Sequence, residues 1–424
     1  MMTTLSPDDP HTNRAPIPFA EFVALIAAMM ALTALGIDSM LPALPALAAD
    51  LNVTTANERQ FVITAFMVGF AFAMLVYGPA TDRFGRRPVL VVALTGYVLT
   101  NLLAAVSGSF VLLLAARAAS GAMVAGARTV TVALVRDCYA GRAMARVMSL
   151  AFIFFMAAPV LAPTFGQLVL LVGSWRWIFG GIAAVTLVIL VWFLARMPET
   201  LAEEDRRPFT LGSLGTGAGR IVKDRYALGY TLAATMLQGG LFGFIGSIQQ
   251  IVFEVFKVPN LLALVFASVA GTMAVGSFLN SRIVMKMGTR LISHTALIGF
   301  IVFACLHLAI SLAGAETLTN FIVVQALMMM CFGLATSNFS AMAMENVGDI
   351  AGTAASIQGF VATLGAAIIG AYVGQQYDGT TIPLYIGFTA MGFAALAIVL
   401  LAERGRLFRP AHDPAIRRDG VEQG

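Results

Sequence analysis

Two apolar runs, Val62–Pro79 and Pro88–Ser107, flank a short charged turn, and neither holds a Lys, Arg, Asp or Glu. Crossing about 30 Å of hydrocarbon takes about twenty residues of helix, so each run is long enough to span a membrane. The same test applied along the chain gives twelve predicted spans, the first over residues 20–43 and the last over 381–402. Composition agrees. Of 424 residues, 59% are hydrophobic and 11% charged, where a soluble domain has about 25% charged, and mean hydropathy is +0.87. A soluble fold of this size cannot hide that much apolar surface. The expected class is an all-α integral membrane protein.

The longest polar interval, 197–225, divides the spans six and six. It reads as a flexible cytoplasmic linker with a Gly-rich stretch, Leu211–Gly219. The predicted organisation is a cytoplasmic tail (1–19), a six-helix bundle (20–196), the linker, a second six-helix bundle (226–402) and a cytoplasmic tail (403–424). Gly219 is followed by Arg220 and Ile221, so no phosphate-binding Gly-Lys-Ser/Thr turn is present, which argues against an ATP-driven pump. With both termini inside, 21 of the 26 Lys and Arg fall on the cytoplasmic side. Arg59, Arg176 and Lys257 fall outside, and Arg117 and Arg128 lie within span four. Cations accumulate on the cytoplasmic side of membrane proteins, so the imbalance orients the chain. The turn after span two, with Gly78, Asp82, Gly85 and Arg86, is faintly repeated after span eight by Gly276, Asn280, Gly288 and Arg290. Two pseudo-symmetric bundles with a site between them near the midplane is a secondary-transporter plan.

A few residues carry potential chemistry. Asp38 alone among the acids lies well inside a span, where an acid costs roughly 2.5–3.5 kcal/mol. Removal from water disfavours its charged form, so it suits a proton-coupling role; a structural acid near a helix end is the alternative. Arg117 lies at similar depth and either shares a cavity with Asp38 or anchors backbone carbonyls. Arg128 reads as snorkelling to the cytoplasmic interface. In span five, Ala158, Ala162 and Gly166 recur every four residues and allow close helix approach. Pro159 and Pro163 bend the helix, as a hinge or only as packing. Gln238, Gln325, Asn338 and Gln358 are candidate cavity residues, whereas His307 and Met328–Met330 read as packing. Cys138, Cys305 and Cys331 are scattered and the four histidines lack metal spacing, so no metal and no cofactor is expected. A net charge of +4 gives no reason to expect nucleic acid, and no nucleophile–base pair lies in the spans to suggest an enzyme.

The turn Gly78–Pro79–Ala80–Thr81–Asp82–Arg83–Phe84–Gly85–Arg86–Arg87 resembles the signature loop of the major facilitator superfamily. Gly36–Ile37–Asp38, followed by Pro42 and Pro45, resembles the first span of its twelve-helix drug:proton antiporters. Arg117–Ala118–Ala119–Ser120–Gly121 resembles their span-four motif, with Ser120 where Gln is usual. Leu161–Ala162–Pro163–Thr164–Phe165–Gly166, the segment Trp175–Phe179 and Ala351–Gly352–Thr353–Ala354–Ala355 are similar to the bicyclomycin/chloramphenicol-resistance group. In span five, Ala158 and Gln167 depart from the antiporter glycines. The resemblance implies proton-driven export of small organic molecules by a monomer in the bacterial inner membrane. It implies that Asp38 is the proton- and cation-sensing acid and that Arg117 tunes it. It also implies that Asp82, Arg86 and Asp137 form a cytoplasmic gate holding span two against span eleven. An importer of the same fold and a non-transporting membrane sensor remain open.

Overall fold

The computed structural model describes residues 15–139, 141–206 and 212–408, and no strand occurs among them. Without water in the bilayer core, a helix satisfies each peptide group within its own segment, which is why the apolar runs become helices. Span one is α1 (Phe19–Asp38), a 3-10 turn (Leu41–Ala43) and α2 (Leu44–Asp50). The first half continues with α3 (Phe61–Phe84), α4 (Arg86–Ala105), α5 (Phe110–Cys138), α6 (Gly141–Val172) and α7 (Arg176–Arg196). The second half comprises α9 (Arg225–Gln250), α10 (Leu262–Met287), α11 (Thr289–Leu312), α12 (Leu318–Ala343), α13 (Ala351–Gln375) and α14 (Ile382–Ala402). Among the described residues eleven helices are long and apolar enough to cross a membrane, and the 32-residue α6 is the twelfth. It runs unbroken through Pro159 and Pro163. Side chains such as Leu171, Val172 and Leu401 lie bare on the outside, as hydrocarbon-facing residues do.

Within each half, one crossing sets the packing. A methyl group on Gly69 would overlap the Ala118 carbonyl oxygen, and one on Gly121 the Phe66 carbonyl oxygen. The second half repeats this reciprocal contact. A methyl on Gly276 would overlap the Met330 oxygen, and one on Gly333 the Met273 oxygen. In all four cases the carbonyl belongs to the residue three before the partner glycine. Gly276 is thus the counterpart of Gly69, not of Gly78 as the spacing to Asn280 suggested. Sixteen residues separate Gly69 from Gly85 but twelve separate Gly276 from Gly288. The second half is one turn shorter there, and matching by the four-residue spacing from glycine to a polar side chain paired the wrong glycines.

The Gly-rich linker contains a helix, α8 (Gly212–Lys223), where a flexible stretch was expected. Ile221 is buried, with Leu214 and Ala218 beside it, against Val347, Ala354 and Ile357. A side chain on Gly217 would meet Thr353, so the glycine permits close docking on α13. Arg220 pairs with Asp349, with Nη2 2.9 Å from Oδ1. Tertiary burial and this pair overcome the poor helix propensity of glycine.

Candidate functional site

The apolar α1 ends at Asp38, and a helix end leaves carbonyls without intrahelical donors. The Ser39 hydroxyl donates to Leu35 O (2.5 Å). Arg117, fully buried, donates through Nη2 to Gly36 O (2.7 Å) and through Nε to Val62 O (3.2 Å). Its guanidinium lies over the Phe66 ring at 4.4 Å. Arg117 thus anchors backbone carbonyls, one of the two roles expected of it, and no hydrogen bond joins it to Asp38. A Cβ on Gly36 would overlap the Tyr97 hydroxyl, which donates to Leu32 O (3.3 Å). Gly166 lets α6 close on the Ser39 carbonyl just past the break, and Ala158 and Ala162 on the same face are buried.

Asp38 is 5% exposed and its Oδ1 has no hydrogen-bond partner. Arg117 Nη1, Ser120 Oγ and Thr33 Oγ1 are also buried without partners. On α1, residues 24, 28, 31, 35 and 38 share one face by helical spacing. Ala24 is exposed, Ala28, Ala31 and Leu35 are half-buried and Asp38 is buried. This face closes stepwise from the N-terminal end of α1 to Asp38.

The halves meet where α3 packs on α13 and α6 on α10. At the end away from the charged turn the contact is a polar latch that sequence reading missed. Asn57 Nδ2 donates to the Gln375 and Tyr377 carbonyls (3.0 and 2.9 Å). Gln60 Nε2 donates to Gln250 Oε1 (2.5 Å) and Gly374 O (3.1 Å). Gln250 Nε2 donates to Asn57 Oδ1 (2.8 Å), and Arg59 pairs with Glu254. Glu254 stands on a π-helical turn, Ile251–Val255, that ends α9; such turns recur at functional sites. The signal available in the sequence was a cation and amides in one outer loop facing an acid and amides in others. Toward the charged turn the α3–α13 contact is mostly apolar, with Phe72 against Phe360 and Met74 against Gly359.

At the charged turn, Gly85 has φ +96, a value that side-chain-bearing residues rarely adopt. Arg86 lies between Asp82 (Nη1–Oδ1 2.7 Å) and Asp137 (Nε–Oδ2 2.9 Å). Glu199, not singled out from sequence, accepts from the Arg86 and Arg87 amides (2.9 and 3.1 Å) and so caps α4. Arg87 reaches the Leu194 carbonyl (3.0 Å), while Arg83 lies over Phe84. Gly78 faces Ser356 of α13. The second half repeats the device: Gly288 has φ +82, and Arg290 lies between Glu345 (3.0 Å) and Glu403 (2.7 Å).

Three of the four amides expected in a cavity are used inside the second half. Gln325 Oε1 accepts from Tyr385 (3.3 Å), Asn338 pairs with Asn280 (2.8 Å), and Gln358 donates to Ala343 O (2.9 Å). Gln238 is half-buried and makes no hydrogen bond among the described residues. His307, read as packing, stacks on Tyr385 at 3.7 Å and lies 3.0 Å from Glu316.

The family model for the Major Facilitator Superfamily matches residues 26–370. The bicyclomycin resistance protein homolog of Haemophilus influenzae is 31% identical over 402 residues, covering 90% of this chain and 96% of its own. The uncharacterized transporter YdgK of Bacillus subtilis is 28% identical over 85% of this chain and 90% of its own. The multidrug resistance protein MdtL of Escherichia coli is 32% identical over 43% of this chain and 46% of its own. Among solved structures, the xylose transporter XylE of E. coli in a partially occluded inward-open conformation superposes with TM-score 0.70 at 14% identity, covering 93% of this chain and 99% of its own. The human organic anion transporter MFSD10 gives 0.67 at 18%, over 91% and 100%. The twelve helices in two halves, the charged turn and the family match over most of the length together establish that this chain belongs to the major facilitator superfamily.

Proposed function

We propose that the protein exports small organic molecules in exchange for protons by alternating access, from a bacterial inner membrane with both termini in the cytoplasm. One observation carries the reading: Asp38 sits at the buried end of a face of α1 that is half-buried from Ala28 to Leu35 and exposed at Ala24, with Oδ1 unpaired. A carboxyl held this way takes a proton in place of a protein partner, and gives it up when its surroundings become wet. The outer latch supports a state closed to the outside. In that state Asp38 faces the cytoplasmic vestibule, and the Asp82–Arg86–Asp137 cluster would hold α3 on α13 when the halves rock the other way. The names of the bicyclomycin- and multidrug-resistance relatives support export. We take Gln238 as a vestibule residue and α6, with Pro159 and Pro163, as the element that flexes. A membrane potential supplies about 2.3 kcal/mol per charge per 100 mV. One or two protons therefore sustain about 1.7 to 3.4 tenfold steps of substrate gradient at about 1.36 kcal/mol each.

The test is Asp38→Asn. Flux into inverted vesicles whose lumen is acidified should fall to background, with expression and thermal stability of the purified protein kept. Undiminished proton-driven flux in that variant rejects the assignment.

A further inference from the structure

Span four carries a second arginine that no group among the described residues neutralises. Arg128 lies eleven residues beyond Arg117, about three turns, so both project from one face of α5. Arg117 is taken up by carbonyls. Arg128 has no hydrogen bond or ion pair among the described residues; its ring contact is Phe70, with the guanidinium carbon 5.9 Å from the centroid.

Its direction excludes the snorkelling expected from sequence. Helices α3 and α5 both run inward, and their glycine crossing fixes the levels. Gly121 faces Phe66, so Arg128, seven residues on, is level with Ala73. Phe70 lies three residues nearer the outer face. The side chain therefore reaches up toward the membrane centre, as helical side chains tilt toward the N-terminus. It stands nine residues before Asp137, about 14 Å inside the cytoplasmic charge cluster. Arg128 is exposed on the face of α5 from which Arg117 reaches α1 and α3, so it stands on the wall of an opening between helices. Helix α1 runs antiparallel, with Gly36 level with Arg117. Eleven residues back along α1 is Leu25, flanked on the open face by Ala24 and Ala28. These small side chains leave room beside the guanidinium.

An unpaired arginine at this depth carries a cost that calls for a partner. We propose that Arg128 is an anion subsite of the vestibule, and that the exported molecules include small organic carboxylates with an apolar ring or chain. The guanidinium fork takes the carboxylate through two parallel hydrogen bonds, and the apolar body lies along the alanine face of α1. The proposal rests on the export reading for direction, but not for binding.

Three probes with one ring and three charges separate the possibilities: 2-naphthoate, 2-naphthamide and 2-naphthylmethylammonium. Equilibrium binding is measured on the purified full-length protein in uncharged detergent, and flux in inverted vesicles. Wild type should bind naphthoate about tenfold or more tightly than naphthamide, the scale of a charge-assisted bond. Arg128→Gln should abolish that ratio, and Arg128→Lys, which keeps the charge but loses the fork, should retain part of it. No preference for naphthoate in wild type, or an unchanged ratio in Arg128→Gln, overturns the subsite. Naphthoate bound with that preference but none of the probes moved by a proton gradient would remove the export reading and leave the subsite standing. Proton-driven flux of naphthamide without any naphthoate preference would do the reverse.

Discussion

At Asp38 a helix stops inside a membrane, and its open carbonyls are met from the neighbouring α5 by Arg117. The acid and the arginine thus serve one backbone break without pairing with each other, and the carboxyl keeps an unpaired oxygen. Glycines matter at the same scale. Gly121 abuts the Phe66 backbone, which cannot swing aside as a side chain does. Gly121→Val should therefore push α3 from α5 and lower thermal stability by about 1–3 kcal/mol, the usual cost of overpacking. Gly108→Ala, with open space around it, should change little. Equal melting temperatures for the two variants in detergent would refute the crossing as the packing constraint.

Among elements, the spans and the charged turn were legible because hydrophobicity sums along the chain and a turn between two spans has few ways to fold. The faces of the helices were not. A helix apolar all round has no preferred side in its sequence, so nothing marked Gln325, Asn338 and Gln358 as facing inward within the second half. Pattern also hid the link between α11 and the loop before α12. There the Ser311 hydroxyl donates to Glu316 (2.6 Å), His307 lies 3.0 Å away, and Thr381 donates as well. Burial pushes the Glu316 carboxyl up, but these bonds outweigh it and hold the group below the usual carboxylate range. A depressed folded value stabilises above the unfolded one and is lost as pH falls through it. Glu316→Gln should cost about 1–3 kcal/mol near neutral pH, a difference that shrinks below about pH 4.5. Thermal melts of both proteins from pH 7 to 3 check this; a gap that widens on acidification contradicts it.

At the scale of the whole molecule, the proposed alternating access gives the polar latch the task of keeping the outer side shut. Removing latch donors should shift the population toward outer opening, by about tenfold for each 1.4 kcal/mol lost. Thr64 lines a small cavity between the halves beside Gln60, Met67 and Phe242. A Thr64→Cys reporter should react severalfold faster with impermeant maleimide from outside when Arg59→Ala and Gln60→Ala are added. Unaltered labelling would mean that these bonds do not hold the outer side closed.

The linker adds a mechanical limit. Glu199 and Thr200 are tied to the first half, at α4 and at Asp137 (3.1 Å), and α8 is docked on the second. Only the stretch from Leu201 to Leu211 connects them, and a dozen Cα steps reach about 40 Å at full extension. In the proposed transport cycle its length limits how far the two halves part at that end, so deleting residues from it should stop the swing before any contact in the spans is touched.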